Sequence, residues 1–149
     1  MDRNDNIQEA VTAGIRHIGV SIYSSGKIRD YLVNKGFTVD TANSAVEELI
    51  SRRYIDDRRA GRKVLLLRTG TKQESKKGIY NRLLSAGIAS GIARDMISDL
   101  EEDSITCKEL FIANGIDSSS SEEEKLKILK TALRRGYSYE LASKVLCCL

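Results

Sequence analysis

The stretch IRDYLVNKGFTVDTANSAV at residues 28–46 decides the fold, because the chain repeats its pattern twice. The segments IYNRLLSAGIASGIARDMI at 79–97 and ILKTALRRGYSYELASKVL at 128–146 carry a glycine and aliphatic residues at matching positions. The shared glycines are Gly36, Gly87 and Gly136, so the copies lie 51 and then 49 residues apart. A recurrence of about 50 residues indicates an array of repeats in which each copy packs mainly on its neighbours.

Within each copy the apolar residues follow helical spacing. In the first copy, Ala42, Ala45, Val46 and Leu49 form the stripe of an amphipathic helix. Ser75 and Ser121 are predicted N-caps, because a serine hydroxyl can accept from a free backbone N–H in the first turn. The predicted helices are Ile7–Tyr23, Gly26–Lys35, Thr41–Arg52, Asp57–Arg68, Ser75–Ala86, Ser90–Leu100, Thr106–Ala113, Ser121–Arg135 and Ser138–Cys148. We therefore predict an all-α protein with three three-helix repeats, 1–53, 54–103 and 104–149, forming an elongated, curved array.

Composition limits the other possibilities. The 149 residues are 41% hydrophobic and include no proline, so no residue obliges a helix to break. No apolar stretch reaches the length of a membrane span, and the N-terminus does not resemble a secretory signal, so we expect a cytoplasmic protein without a membrane partner. The three cysteines and the single histidine match no zinc-ligand spacing, so we expect reduced thiols and no metal or cofactor.

Charge is concentrated in blocks along the chain. Residues 52–82 contain eleven Lys and Arg against three acids, residues 95–124 contain ten acids against Lys108, and residues 125–149 contain six bases against Glu140. Many such charges are simply solvated on helix surfaces. A block as dense as 52–82 also suits phosphate binding through counterion release, or attraction to an acidic protein surface.

No catalytic group emerges from the sequence. The acids crowd predicted helix starts and turns, and we expect His17 to be a packed or surface residue. The glycines lack the spacing of a phosphate-binding loop. We therefore expect a protein that is not an enzyme. Tyr137 is expected in the core, whereas Tyr80 and Tyr139 stay open as surfaces on which bases could stack.

Three segments resemble the bacterial RecX regulatory proteins over about residues 24–146. The first is Lys35-Gly36-Phe37 with the downstream VEEL and YIDD sequences at 46–49 and 54–57, the second is Ile79 to Ile88, and the third is LRRGYSYE at 133–140. Some family features are missing. Ala60 and Val64 stand where aromatics are usual, Ser75 and Lys76 replace a glycine and a proline, and Lys27 replaces an acid. The resemblance therefore indicates a divergent member.

The resemblance implies a modulator that lodges in the groove of the RecA filament, limits its growth, and restrains strand exchange and the co-protease activity behind the SOS response. We expect the chain to be a monomer. Single- or double-stranded DNA stays open as a second partner. On charge, we expect electrostatic contacts from Arg52, Arg53, Arg58, Arg59, Arg62, Lys63, Arg68, Lys76, Lys77 and Arg82, with Arg134, Arg135 and Lys144 as a second patch. Two alternatives are a direct DNA- or RNA-binding module and a helical scaffold for an unrelated protein.

Overall fold

A computed structural model describes residues 4–149, and helices are its regular secondary structure in that range. Its nine α-helices are α1 (Ile7–Ile18), α2 (Ser25–Asn34), α3 (Val39–Ser51), α4 (Asp57–Leu65), α5 (Lys76–Ser85), α6 (Ser90–Ser98), α7 (Asp103–Ala113), α8 (Glu122–Arg134) and α9 (Tyr139–Cys147). A short 3-10 helix, Gly70–Lys72, lies between α4 and α5. The described residues contain no strand, only an isolated bridge between Asn4 and Phe37. The predicted all-α class with three helices in each of three copies is confirmed.

The helices form two compact units. Unit 1 comprises the described residues up to Lys63 together with Leu83–Ala93, and unit 2 comprises Val64–Arg82 and Arg94–Leu149. The core of unit 1 is built by inward residues of α1, α2 and α3, including Val11, Ile28 and Leu49. The core of unit 2 is built mainly by α7, α8 and α9 around Phe111. The repeat boundaries given above stay a prediction.

Three predicted helix bounds are wrong. We expected α7 to begin at Thr106, but it begins at Asp103, because Glu102 has the extended backbone of an N-cap residue, with ψ 150°. We expected α1 to reach Tyr23, but it ends at Ile18 because Gly19 adopts a left-handed φ of 52° and donates its N–H to Ile15. We expected α4 to reach Arg68, but it ends at Leu65, where the Arg68 N–H bonds the Leu65 carbonyl in a turn. Gly19 itself disfavours a helix, whereas Leu66 and Leu67 after α4 still favour one, so only the end of α4 has no signal in the sequence.

A serine and a glycine hold the start of α2 in unit 1. The Ser24 Oγ accepts the Lys27 N–H at 3.2 Å and donates to the Ala86 carbonyl at 2.7 Å. Gly87, at φ 87°, approaches so closely that an added Cβ would lie 2.4 Å from this hydroxyl. The contact therefore requires glycine at position 87 both for its backbone conformation and for its lack of a side chain.

The same arrangement recurs in unit 2 at the start of α5. The Ser75 Oγ accepts the Gly78 N–H at 3.0 Å, which confirms the predicted N-cap, and the Ser75 N–H donates to the Arg135 carbonyl at 3.0 Å. A Cβ on Gly136 would lie 2.4 Å from the Ser75 hydroxyl. The repeat in the sequence therefore reproduces a polar junction as well as a hydrophobic stripe.

Candidate binding surface

Helix α4 presents most of the predicted basic residues of unit 1 to solvent. Asp57, Ala60 and Gly61 are its buried positions, so the arginines and lysine that alternate with them point outward. We call Arg58, Arg59, Arg62 and Lys63 the α4 basic face, and all four are exposed. Four like charges within two turns repel one another by a few tenths of a kcal/mol per pair, roughly. This arrangement favours a partner that supplies negative charge.

Asp57 fixes the start of α4 against the rest of unit 1. Its carboxylate accepts from the Ser25 N–H at 2.7 Å, the Ser25 hydroxyl at 2.6 Å and the Ala89 N–H at 2.9 Å. Only 5% of the residue is exposed, so these donors replace the water that the charge has lost. The neighbouring Asp56 is exposed and accepts the Arg59 N–H at 3.2 Å as a cap of α4. The basic face is therefore anchored by acids at its own N-terminus.

The turn before α4 adds one exposed base and one paired base. Arg53 is exposed and lines a groove with Arg58 and Arg59. Arg52 instead pairs with Glu48 one helical turn earlier, with 2.6 Å between Nη2 and Oε1. An exposed pair of this kind is worth about 0.3–0.5 kcal/mol and is easily exchanged for another partner. Arg53 therefore extends the α4 basic face, while Arg52 is already partly neutralised.

The predicted contact residues of unit 2 are held in internal interactions. Glu74 is buried, and its Oε1 lies 3.0 Å from Arg68 Nη1 and 2.7 Å from Arg82 Nη2. Lys76 Nζ lies 3.3 Å from Glu102 Oε1, and Arg135 Nη1 donates to the Gln73 carbonyl at 3.2 Å. We call Arg68, Glu74 and Arg82 the Glu74 cluster. These bases have local partners, so they present less free charge than the sequence suggested.

The remaining predicted bases of unit 2 are exposed but lie on different helices. Lys77 is in the first turn of α5, Arg134 ends α8, and Lys144 is on α9. Arg134 Nη2 donates to the Thr131 hydroxyl at 3.1 Å. The structure therefore brings together the four predicted bases of α4 and places the second predicted patch on two helices of unit 2.

Sequence reasoning missed the two buried carboxylates that organise these bases. Glu74 is the only acid between Arg58 and Arg82, a range with nine Lys and Arg. A single acid among so many bases was a usable signal of an internal ion pair. Asp57 gave no comparable signal, because its partners Ser25 and Ala89 are far away in sequence.

Three of the other potentially reactive side chains, His17, Tyr137 and Cys107, are stacked on a ring or buried. The His17 ring stacks on Tyr31 at 3.7 Å between centroids. Tyr137 is 3% exposed and its hydroxyl lies 2.7 Å from that of Thr106, which confirms its expected core position, and burial raises its pKa above the usual range. Burial, with Asp103 nearby, raises the pKa of the Cys107 thiol to about 11, whereas Cys147 and Cys148 are exposed.

Residues 4–149 lack two other kinds of feature, a cluster of metal ligands and a membrane-spanning helix. No group of three or more His, Cys, Asp or Glu side chains in that range could hold a metal ion. None of the helices there combines the length and the apolar character needed to cross a membrane.

The similar proteins described below all carry the name RecX. A RecX regulatory protein of Lactobacillus johnsonii is 24% identical over 123 residues, covering 80% of this chain and 45% of the relative, so the chain spans less than half of that protein. A RecX regulatory protein of Clostridium perfringens is 22% identical over 149 residues, covering 96% of this chain and 69% of the relative.

A solved structure shows the same fold. The crystal structure of RecX from Lactobacillus salivarius matches with a TM-score of 0.65 at 20% identity, covering 97% of this chain and 99% of the other. No family model matches the chain.

Proposed function

Because the chain is a divergent member of the RecX family, we propose that it is a non-enzymatic cytoplasmic regulator that binds the RecA filament. In this proposal it inhibits the recombinase and co-protease activities of RecA, and so modulates DNA repair and the SOS response. The observation that carries the proposal is the alignment of 96% of the chain with a protein named as a RecX regulator.

The α4 basic face is the surface that best suits such a partner. Arg59, Arg62 and Lys63 of this face are exposed on one short helix, whereas Arg68 and Arg82 of the predicted contact set are held by Glu74. A RecA filament on single-stranded DNA offers many negative groups, so exposed arginines can accelerate encounter and neutralise charge on docking. Arginine also binds carboxylates and phosphates through two parallel N–H donors, which fixes the orientation of the partner.

Regulation of this kind requires binding without chemistry. A protein that docks along a growing filament and stays bound can obstruct the addition of subunits and the approach of a second DNA strand. The same bound protein would cover surface that a co-protease substrate needs. No reacting group is required for either effect, so the role of the arginines is electrostatic docking.

Direct binding to nucleic acid is the second candidate, and the α4 basic face is the observation that favours it. In that case the arginines would contact phosphates without a recombinase. Binding to single-stranded DNA would then be similar in the presence and absence of RecA, and its affinity would fall steeply with salt.

Titrating the protein into the single-stranded-DNA-dependent ATPase reaction of the cognate RecA tests the proposal. We expect inhibition at amounts below one molecule per RecA subunit at low salt, and weaker inhibition as salt rises. An ATPase rate that stays unchanged at equimolar protein and low salt would contradict the proposal. A parallel binding measurement on the same DNA without RecA decides between the two candidates.

A further inference from the structure

A groove beside the α4 basic face combines aliphatic surface with arginine. It lies within unit 1, has a volume of about 460 Å³, and is bounded by the end of α3, the start of α4 and the first turns of α6. Ile50, Ile92 and Ala89 contribute aliphatic side chains that reach its surface, and Ile50 is 47% exposed. Arg53, Arg58 and Arg59 stand around it. Such a groove can accept an apolar side chain and an acidic one together.

The groove lining carries three arginines against two aspartates, which leaves a formal net charge of +1. The Asp57 carboxylate is buried and accepts three hydrogen bonds, so it is occupied by the fold itself. Asp56 is exposed, and one of its carboxylate oxygens accepts the Arg59 backbone N–H. The guanidinium groups of Arg53 and Arg59 make no ion pair within 4 Å among the described residues. The rim of the groove is therefore cationic.

Arg53 occupies a backbone position that otherwise belongs to glycine. Four helices of the described chain end in the same pair of backbone bonds, with a glycine in the left-handed conformation. In α3 the Arg53 N–H bonds the Ile50 carbonyl at 2.9 Å and the Tyr54 N–H bonds the Leu49 carbonyl at 2.9 Å, but the left-handed residue is Arg53 at φ 65°. The matching glycines are Gly36, Gly87, Gly115 and Gly136.

This exception points to a role for the Arg53 side chain. A residue with a Cβ is less stable than glycine in this conformation, so arginine at position 53 weakens the turn that holds it. Strain of this kind is found at binding sites, where the side chain compensates through its function. Arg53 lines the groove, where its positive charge can contact an acidic partner.

We propose that this groove binds an acidic protein segment carrying an aliphatic or aromatic anchor residue, with Arg53 as the cation that selects it. The anchor packs on Ile50, Ala89 and Ile92, and the flanking carboxylates meet Arg53 and Arg59. A nucleic-acid strand fits less well, because its phosphates gain nothing from an aliphatic floor and no aromatic ring lines the groove for a base to stack on. The inference rests on the proposed function only in taking RecA as the protein that supplies the segment.

Two labelled peptides with the same number of glutamates test the groove directly. One repeats Glu-Glu-Leu and the other repeats Glu-Glu-Ser, and oligo-dT of equal charge serves as the nucleic-acid probe. Anisotropy titrations with the full chain should show the leucine peptide binding about tenfold more tightly than either other probe, as expected for one desolvated anchor. Equal affinity for the two peptides, or tighter binding of oligo-dT, would overturn the proposal.

The variant Arg53→Gly separates the function of this residue from its structural effect. It should raise the Tm by about 2–4 °C, because glycine relieves the backbone strain in the turn. It should also lower the affinity for the leucine peptide by about fivefold to tenfold. Arg53→Lys should retain most of the affinity, since it keeps the charge. A variant Arg53→Gly that is more stable and binds as well as the original chain contradicts the role of Arg53.

Two further variants test the floor of the groove against a matched control. Ile92→Ser should reduce the affinity for the leucine peptide to that for the serine peptide. The control Ile112→Ser changes an isoleucine of α7 that is 57% exposed and lies outside the groove, and it should leave both affinities unchanged. Equal effects of the two substitutions would count against the groove.

The RecA ATPase assay distinguishes failure of the groove from failure of the proposed function. If the original chain and Arg53→Gly inhibit equally and the peptides bind alike, the groove is overturned while the RecA proposal stands. If the leucine peptide binds as described but the original chain leaves RecA unaffected, the groove is supported and the RecA proposal fails.

Discussion

The α4 basic face and the Glu74 cluster come from one basic stretch of sequence but differ in how their charges are paired. Both come from the basic stretch 52–82, yet Arg59, Arg62 and Lys63 are exposed on α4, whereas Arg68 and Arg82 converge on a buried glutamate. The difference lies in ion pairing, because the Glu74 carboxylate pairs with both Arg68 and Arg82. Exposed and unpaired bases are available to a partner, and paired ones stabilise the fold that presents them.

Removing the acid of the Glu74 cluster should have the largest effect. In Glu74→Ala, Arg68 loses its carboxylate while its Nε is already buried without a hydrogen-bond partner, so we expect a loss of about 2–3 kcal/mol in the free energy of unfolding. Urea denaturation followed by circular dichroism measures the change. Glu123→Ala on the exposed first turn of α8 is the control, and it should stay within about 0.5 kcal/mol. Equal losses in the two variants would show that the cluster is not structural.

Reversing the charge of the α4 basic face should affect partner binding and leave the stability of the fold nearly unchanged. The triple variant Arg59→Glu, Arg62→Glu, Lys63→Glu removes three exposed bases and spares Arg58. We expect at least about thirtyfold weaker binding to the cognate RecA filament, or about 2 kcal/mol, with the free energy of unfolding changed by less than about 0.5 kcal/mol.

The control for this reversal changes the same number of charges elsewhere. Lys125→Glu, Lys127→Glu and Lys130→Glu place three reversals on α8 of unit 2. Binding that falls equally in both triple variants would indicate an effect of net charge alone, which contradicts a specific α4 surface.

The acid at the start of α4 should behave like Glu74 and unlike its basic neighbours. Asp57→Asn keeps the shape but directs an amide N–H toward groups that donate hydrogen bonds, so we expect a loss of about 1.5 kcal/mol in the free energy of unfolding. Thermal denaturation detects the change. Asp56→Asn is the matched control, because this exposed residue accepts a single bond and should lose about 0.5 kcal/mol or less. The reverse order would contradict the structural role of Asp57.

The smallest effect is expected for the exposed ion pair of unit 2. Lys76 lies 3.3 Å from Glu102, whose side chain is 76% exposed, so water screens the pair. Lys76→Met should change the free energy of unfolding by less than about 0.5 kcal/mol. A loss as large as that of Glu74→Ala would mean that exposure does not separate structural bases from available ones in this chain.

The hydrophobic pattern was sufficient to predict the fold, because burial repeats with helical period in all three copies. Ile28, Ile79 and Ile128 occupy one register of the repeat and all three are buried. The exact helix ends were harder to predict, since Gly19 ends α1 through its own backbone conformation and not through any change in hydrophobic pattern. The register also did not distinguish partial burial from exposure. Leu84 and Leu133, which were aligned with the partly buried Val33, are 38% and 43% exposed.

The site could be predicted only in part. Charge density indicated the basic stretch 52–82 as a contact surface, which stays a prediction, but it treated Arg59 and Arg82 alike, because pairing depends on which residues meet in space. The strain at Arg53 also has no signature in a single sequence. Only the backbone geometry shows that an arginine stands in the left-handed position that glycine fills at the ends of α2, α5, α7 and α8.

Hydrogen exchange of the chain with and without the cognate RecA filament on single-stranded DNA tests the central claim most directly. We predict that binding slows the exchange of backbone amides at the end of α3 and in the exposed helix α4, residues 50–63. Exchange at residues 68–82 around Glu74 should change little. Protection confined to residues 68–82, with α4 exchanging as fast as in the unbound chain, would contradict it.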